Sequence, residues 1–260
     1  MIIRIFKFIL RKMKSLLFPR QLIEFLTSLH ITYIRYLDGN YGNKKRYNYY
    51  KKHLKFLGKG VIIDTGVFIT GGEYISIDDD THIDKNCILV GAPSDLDLSS
   101  RYIKTRENSA YTGSPGEINI GKNCHISQNT MIYGYGGVSI DDNSTMSAGS
   151  KIYSLTSIAY NPYNRSEIVS IVPYSGKSPT LIGPVVFGKN VWIGIDSIVS
   201  PGCTLEDNVF AKSHSIINSS FTENSYIGGS PAVKIRNRFD VPKKNNKKIT
   251  SKRVKKGQSK

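Results

Sequence analysis

A six-residue period runs through the middle of this chain and restricts its fold more than any other feature. Each hexad opens on an apolar residue, continues through polar or glycine positions and places a small residue fifth. Leu57–Ile62 and Ile63–Phe68 are the first two hexads, followed by Ile77–His82 and Ile83–Ile88. The period returns at Ile120–His125, Ile126–Met131, Ile140–Thr145, Met146–Lys151 and Ile152–Ser157. It then runs unbroken from Phe187 to Ile216. The fifth position holds only Val, Thr, Cys or Ser, and Cys87, Cys124 and Cys203 all fall in it. If each hexad is a short strand and a turn, three hexads close a triangular coil. The first residue then fills the interior and the fifth must fit near a corner. No single coil can bury its own apolar face, so such repeats stack into long arrays. The three cysteines are therefore packing residues, and their odd number and spacing suggest neither a disulfide framework nor a zinc cluster.

Two stretches interrupt the period. Residues 95–117, with Arg101, Tyr102, Lys104, Arg106 and Tyr111, read as a polar loop thrown out from a coil, and residues 159–180 read as a second. The second contains Asn161, Pro162, Tyr163, Arg165 and Lys177. Loops on a rigid stack are natural places for substrate contacts. The repeat region spans 57–238, between an N-terminal region, 1–56, and a tail, 239–260.

The formal net charge is +16, from 36 Lys and Arg against 20 Asp and Glu. Its distribution is uneven. Residues 1–60 carry 14 basic and 2 acidic side chains, residues 61–240 carry 13 and 18, and residues 241–260 carry 9 and none. The repeat body is thus mildly acidic, which argues against a nucleic-acid-binding protein, whose basic residues belong on the folded body. Ile2, Ile5, Phe6, Ile9, Leu10, Met13, Leu16 and Leu17 follow helical spacing, with Arg4, Lys7, Arg11, Lys12 and Lys14 largely elsewhere on the wheel. Pro19 ends this amphipathic helix, and a second is expected before Asp38-Gly39 from Leu22, Phe25, Leu26, Leu29 and Ile34. The early charges interrupt any secretory h-region, and no apolar run is long enough to span a membrane, so a cytoplasmic protein is expected. Its basic helix suits peripheral contact with the anionic inner face of the plasma membrane. The tail from Lys243, rich in Lys, Asn and Ser, is expected to be disordered.

The hexads, together with Gly188-Lys189-Asn190-Val191-Trp192-Ile193-Gly194, Pro201-Gly202-Cys203-Thr204 and Gly229-Ser230-Pro231-Ala232-Val233-Lys234-Ile235-Arg236, resemble the hexapeptide-repeat O-acetyltransferases. The likeness is to the maltose, galactoside and capsular or O-antigen branch. It implies a mainly β protein, a left-handed parallel β-helix with an N-terminal helical segment. It also implies a homotrimer that binds acetyl-CoA between neighbouring β-helices and moves acetyl to a sugar hydroxyl, in surface polysaccharide synthesis, without a metal. Carried over, the acetyl-CoA contacts are Trp192, Gly194, Ile195, Ser213, Asn218, Ser219 and Arg236. The family commonly has Thr-Lys where Asn218-Ser219 stand, and Gly where His214 stands.

Acetyl transfer from a thioester to an alcohol needs a general base. Free imidazole, with a pKa of about 6.5, suits the task. In the resembling enzymes the histidine ends a hexad in a pattern like Ile-Tyr-Thr-x-Thr-His-Pro; here Ile152-Tyr153-Ser154-Leu155-Thr156-Ser157 places Ser157 there. Of the five histidines, His82 and His125 occupy the sixth hexad position, where a side chain can point outward. By coil counting His125 shares a column with Thr145 and Trp192, and it is the candidate base. Tyr135, within Tyr133–Gly137, together with Ser157, Tyr163 and Arg165, is a candidate for the sugar acceptor, with Tyr102 and Arg106 in support. Two alternatives stay open: a catalytically inactive scaffold, and a nucleotide-sugar N-acetyltransferase. A carbonic anhydrase on the same fold is disfavoured, because no set of three histidines has the spacing to converge on zinc.

Overall fold

The structure is a computed structural model that describes residues 20–92, 101–169 and 178–240. The basic segment 1–19 and the tail from 241 lie outside the described residues, as do 93–100 and 170–177. The body is a parallel β-helix with three faces, the left-handed prism that the family resemblance implies. Face 1 stacks Phe56–Leu57, Ile75–Ile77, Ile118–Ile120, Val138–Ile140, Val185–Phe187 and Thr204–Leu205. Face 2 stacks Ile62–Ile63, His82–Ile83, His125–Ile126, Thr145–Met146, Trp192–Ile193, Phe210–Ala211 and Ser225–Gly229. Face 3 stacks Phe68–Thr70, Ile88–Val90, Met131–Tyr133, Lys151–Tyr153, Ile198–Val199 and Ile216–Ile217. Strands on each face pair in parallel with no slip of register from coil to coil.

The hexad explains this packing residue by residue. On face 2 the inward column Ile63, Ile83, Ile126, Met146, Ile193, Ala211 and Ile227 is wholly buried, and its neighbours in the strands face out. Corner residues at the fifth position are buried as well, including the three cysteines. Hydroxyls are tolerated there because each is used. Ser144 Oγ donates to Gly188 O (3.1 Å) and accepts from Val191 N (3.1 Å), and Ser197 Oγ does the same with Lys212 O and Ser215 N. The residue before each small one turns the corner with a left-handed backbone. Asn is the usual solution, as at Asn86, Asn129, Asn190 and Asn208 (φ 57 to 62°). His214 occupies one such corner (φ 57°), which accounts for glycine being usual at that place.

One hexad departs from the sequence reading. Ile152–Ser157 leaves the coil after Tyr153, and Leu155–Ser157 pairs antiparallel with Ser178–Ile182, which pairs in parallel with Arg101–Thr105. The two excursions are therefore not simple loops but two parts of one three-stranded sheet beside the prism. Without the second excursion Arg101–Thr105 would be left unpaired, and together the three strands satisfy their backbone groups.

Among the described residues two helices close the N-terminal end, α1 (Arg20–Tyr36) and α2 (Gly39–Tyr50). The second was not foreseen, since GNYGNKKRYNYY has little helix propensity and no apolar stripe. It forms because it carries Arg46 and Tyr50 into the open end of the first coil. Arg46 is 0% exposed and donates to Ile63 O (2.6 Å), Ile34 O (3.1 Å), Leu37 O (2.5 Å) and Asn43 Oδ1 (2.5 Å). The opposite end is closed by Ala232–Asn237, antiparallel to Ser225–Gly229.

Candidate functional site

Face 2 carries one outward column in strict register: Ile62, His82, His125, Thr145, Trp192, Phe210 and Tyr226. The column from His125 to Trp192 was read correctly by coil counting. Two strand spacings separate them, roughly 10 Å. The upper part is aromatic. Trp192 is 45% exposed, lies edge-on to Phe210 (5.4 Å), and Phe210 stacks on Tyr226 (5.2 Å, 1° between planes). Trp192 Nε1 donates to Ser147 Oγ (2.9 Å), which fixes the indole against the rung below. Arg236 lies over Tyr226 (4.3 Å) and Arg238 over Phe210 (5.6 Å), so two cations cap the aromatic stack.

The lower part is titratable. The buried isoleucines of the first two coils are each followed by an aspartate, Asp64 and Asp84, and the side chains meet the histidine column. His125 Nε2 lies 3.0 Å from Asp84 Oδ2. His82 Nε2 lies 3.3 Å from Asp84 Oδ1 and 3.1 Å from Asp64 Oδ2. An ionised carboxylate only accepts, so each neutral imidazole donates through Nε2 and carries its lone pair on Nδ1. His125 is thus held by a carboxylate in the tautomer that leaves Nδ1 to take a proton. Sequence reasoning missed Asp84 and Asp64. The signal was present in the repeated Ile-Asp step, one residue past the buried position in two successive coils.

The remaining expected contacts are dispersed. Gly194 and Ile195 lead into the corner between faces 2 and 3, with Ser213 stacked one coil above; a Cβ on Gly194 would meet Ser213 N at 2.3 Å. Asn218 and Ser219 lie at the far end of face 3, one face away. Asn218 O there accepts from Arg106 (3.0 Å), whose side chain also packs on Gly202. Arg236 Nη1 bonds to the carbonyls of Asn237, Arg238 and Asp240, so it organises its own chain end as well as the aromatic column.

Tyr135 sits in the turn from face 3 to face 1, and Ser157 in the side sheet opposite Thr180. Neither lies on His125's face within one chain. In the second excursion Tyr163 is edge-on to Tyr102 (6.4 Å) and donates to Ile103 O (2.7 Å), while Arg165 covers Tyr160 (4.5 Å). The two Tyr163 contacts join the excursions to each other, and Arg165–Tyr160 lies within the second. Face 1 has a depression of about 480 Å³ lined by Ser76, Asp78, Asn119, Ser139, Asp141 and Asp142. Its carboxylates make it a poor seat for an anion, in contrast to the arginine-capped face 2. The three thiols play no chemical part: burial pushes Cys87 up to about 12 and Cys124 and Cys203 up to about 11.

Comparison with known proteins agrees with this architecture. The family model for the hexapeptide repeat of succinyl-transferase matches residues 117–154 and 184–210. A chloramphenicol acetyltransferase of Agrobacterium fabrum is 30% identical over 96 residues, 32% of this chain and 45% of that protein. The chain therefore spans less than half the length of that relative. The galactoside O-acetyltransferase of Escherichia coli is 25% identical over 148 residues, covering 55% of this chain and 70% of that one. Among solved structures, AntD, an N-acyltransferase from Bacillus cereus in complex with dTDP and 3-hydroxybutyryl-CoA, superposes with a TM-score of 0.57. It is 22% identical, over 74% of this chain and 87% of AntD, a likeness of fold. By repeat and architecture the chain is a hexapeptide-repeat β-helix, and the relatives it resembles are acyltransferases.

Proposed function

We propose that the protein transfers acetyl from acetyl-CoA to a hydroxyl of a sugar, with His125 as the general base. The observation that carries this reading is the His125–Asp84 pair on the same column as Trp192 and its arginine-capped aromatics. The acceptor hydroxyl gives its proton to His125 Nδ1 as its oxygen bonds to the thioester carbonyl carbon. Collapse of the tetrahedral adduct breaks the C–S bond, and the departing thiolate takes the proton back from the imidazole. Asp84 holds the ring and stabilises the imidazolium formed between these steps. No metal enters the reaction. The exposed indole and apolar Ile195 suit the pantetheine arm, and Arg236 and Arg238 suit the phosphates.

The family likeness favours a homotrimer, in which the exposed face 2 of one copy would be covered by the next, bringing a neighbour's Tyr135, Ser157, Tyr163 and Arg165 within reach of the acceptor. A colanic acid biosynthesis acetyltransferase of Escherichia coli, WcaF, 34% identical over 58 residues, 22% of this chain and 32% of that protein, favours a polysaccharide acceptor. No helix among the described residues is long and apolar enough to cross a membrane. Contact with an anionic lipid surface is proposed instead. It is supported by the cations of residues 1–20 and by the stripe Leu22, Phe25, Leu26 and Leu29, exposed along α1. Vesicles containing phosphatidylglycerol should co-sediment the protein at low salt, and deletion of residues 1–18 should abolish this.

The test of the main reading is turnover of acetyl-CoA against a panel of sugars and lipid-linked oligosaccharides. His125→Ala is expected to lower kcat by 10²–10⁴-fold, the usual range for a general base, with the KM for acetyl-CoA little changed. Unchanged turnover removes His125 from the mechanism, and CoA binding without turnover of any acceptor favours a scaffold. The likeness to AntD supports a second reading, N-acylation of a nucleotide-linked amino sugar. Amine acceptors are therefore included in the panel, and a free amine is less dependent on a base than an alcohol is.

A further inference from the structure

We infer that His82, Asp84 and His125 form a binding site for a borderline divalent cation of the zinc type, and that its occupation switches off His125 as a base. The second half of this inference rests on the function proposed above; the first does not.

The register brings His82 and His125 onto adjacent rungs of face 2, with ring centroids 5.6 Å apart and planes 32° from parallel. Both Nε2 atoms point to one carboxylate, His82 to Asp84 Oδ1 and His125 to Asp84 Oδ2. One donor atom from each of the three residues lies within 4.8 Å of the others. A tetrahedral zinc ion with bonds of about 2.0–2.1 Å holds its ligands roughly 3.3 Å apart. Each imidazole already lies 3.0–3.3 Å from its own oxygen of Asp84, and no pair in the three-atom set has to close by more than roughly 1.5 Å. Rotation of two half-exposed imidazoles supplies that movement. Asp64 Oδ2, 3.1 Å from His82 Nε2, is a fourth donor beside the set. Two neutral imidazoles with carboxylate oxygen select zinc, cobalt or nickel over magnesium or calcium, which prefer all-oxygen shells. The strands beneath are pinned by the buried Ile83 and Ile126, so the site is carried on a rigid surface.

The regulatory consequence follows from tautomer chemistry. A neutral imidazole has one N–H and one lone pair. When Nε2 gives its lone pair to the metal, the proton sits on Nδ1, and the atom that accepts the substrate proton no longer has a lone pair to do so. His82 lies outside the proposed reaction. It therefore separates metal binding from transfer.

The experiment uses the full chain stripped with EDTA and titrated calorimetrically with zinc chloride, with magnesium chloride as control. One zinc per chain is expected, with a micromolar or tighter Kd. At least tenfold weakening is expected in His82→Asn and in Asp64→Asn, each checked for unchanged circular dichroism. No zinc heat up to 100 μM, or binding unaffected by both substitutions, overturns the site. In the turnover assay zinc is expected to stop the wild type and EDTA to restore it, while His82→Asn keeps its rate at the same zinc concentration. Full turnover by zinc-loaded wild type overturns the coupling and the base assignment with it, leaving the binding result intact. Zinc binding by protein that turns over no acceptor supports the site and counts against the proposed function.

Discussion

Replacing Arg46 by Met should loosen the N-terminal end of the prism and little else. The guanidinium is wholly buried, and burial pushes its pKa below the ordinary arginine value, a sign that the charge is held there at a cost. Its bonds to Ile63 O and Ile34 O lie in the interior, whereas those to Leu37 O and Asn43 Oδ1 lie where water can replace the donor. Methionine fills similar volume but leaves two buried acceptors unmet, at about 1–3 kcal/mol each. Removing a buried charge offsets part of this loss, so a net destabilisation of about 2–3 kcal/mol is expected. For a domain of this size that corresponds to a fall in Tm of roughly 4–12 °C, read at fixed protein concentration because assembly also shifts Tm. Stacked coils contact only their neighbours, so the loss should be local. Amide exchange should accelerate at Ile62–Asp64 and Phe68–Thr70 while Val185–Phe187 keeps its protection. A fall in Tm below about 1 °C, or equal acceleration across all coils, would refute the idea that Arg46 is the plug of the first coil.

Three further outcomes are expected. Trp192 is the chain's one tryptophan, so addition of CoA should quench or shift the intrinsic fluorescence; Trp192→Phe should lose the signal, and silence in the wild type argues against face 2 as the seat. The three thiols should resist iodoacetamide at pH 8 in the native protein and react in denaturant. Burial raises their folded pKa above the ordinary thiol value of about 9, so their contribution to stability is present below about 9 and is lost as pH rises toward 11–12. A titration of Tm against pH, compared with Cys→Ala variants, checks the sign. His214→Gly should relieve a left-handed corner and raise stability by up to roughly 1 kcal/mol, since greater freedom of glycine in the unfolded chain cancels part of the gain. A lower Tm would show that the imidazole contributes more than its backbone strain costs.

The body of the fold was legible because one rule, an apolar first residue and a small fifth, repeats often enough to overwhelm local ambiguity. It located the buried column, the cysteine slots and the shared column of His125, Thr145 and Trp192. Where the rule stops, legibility stops. Helix α2 has no pattern of its own and owes its existence to the space that Arg46 and Tyr50 fill. The strands Arg101–Thr105 and Ser178–Ile182 are defined by pairing across 77 residues of sequence, which no local signal records. The pairing of Asp84 with His125 lies between. It is hidden by a separation of 41 residues, yet follows at once from register, because the first excursion leaves the stack without shifting it.

That last property makes the prism a ruler. Each coil adds one residue to the outward column and about 4.8 Å to its length. The span between the imidazole end and the aromatic end is therefore counted in whole turns of chain. Lengthening either excursion leaves the span untouched. Excising the turn that carries Thr145 would bring Trp192 directly onto His125, shortening the measure by one division. Any elongated molecule laid along face 2 is thus gauged in steps of one coil, and its fit cannot be tuned more finely by repeat number, only by the side chains set on each mark.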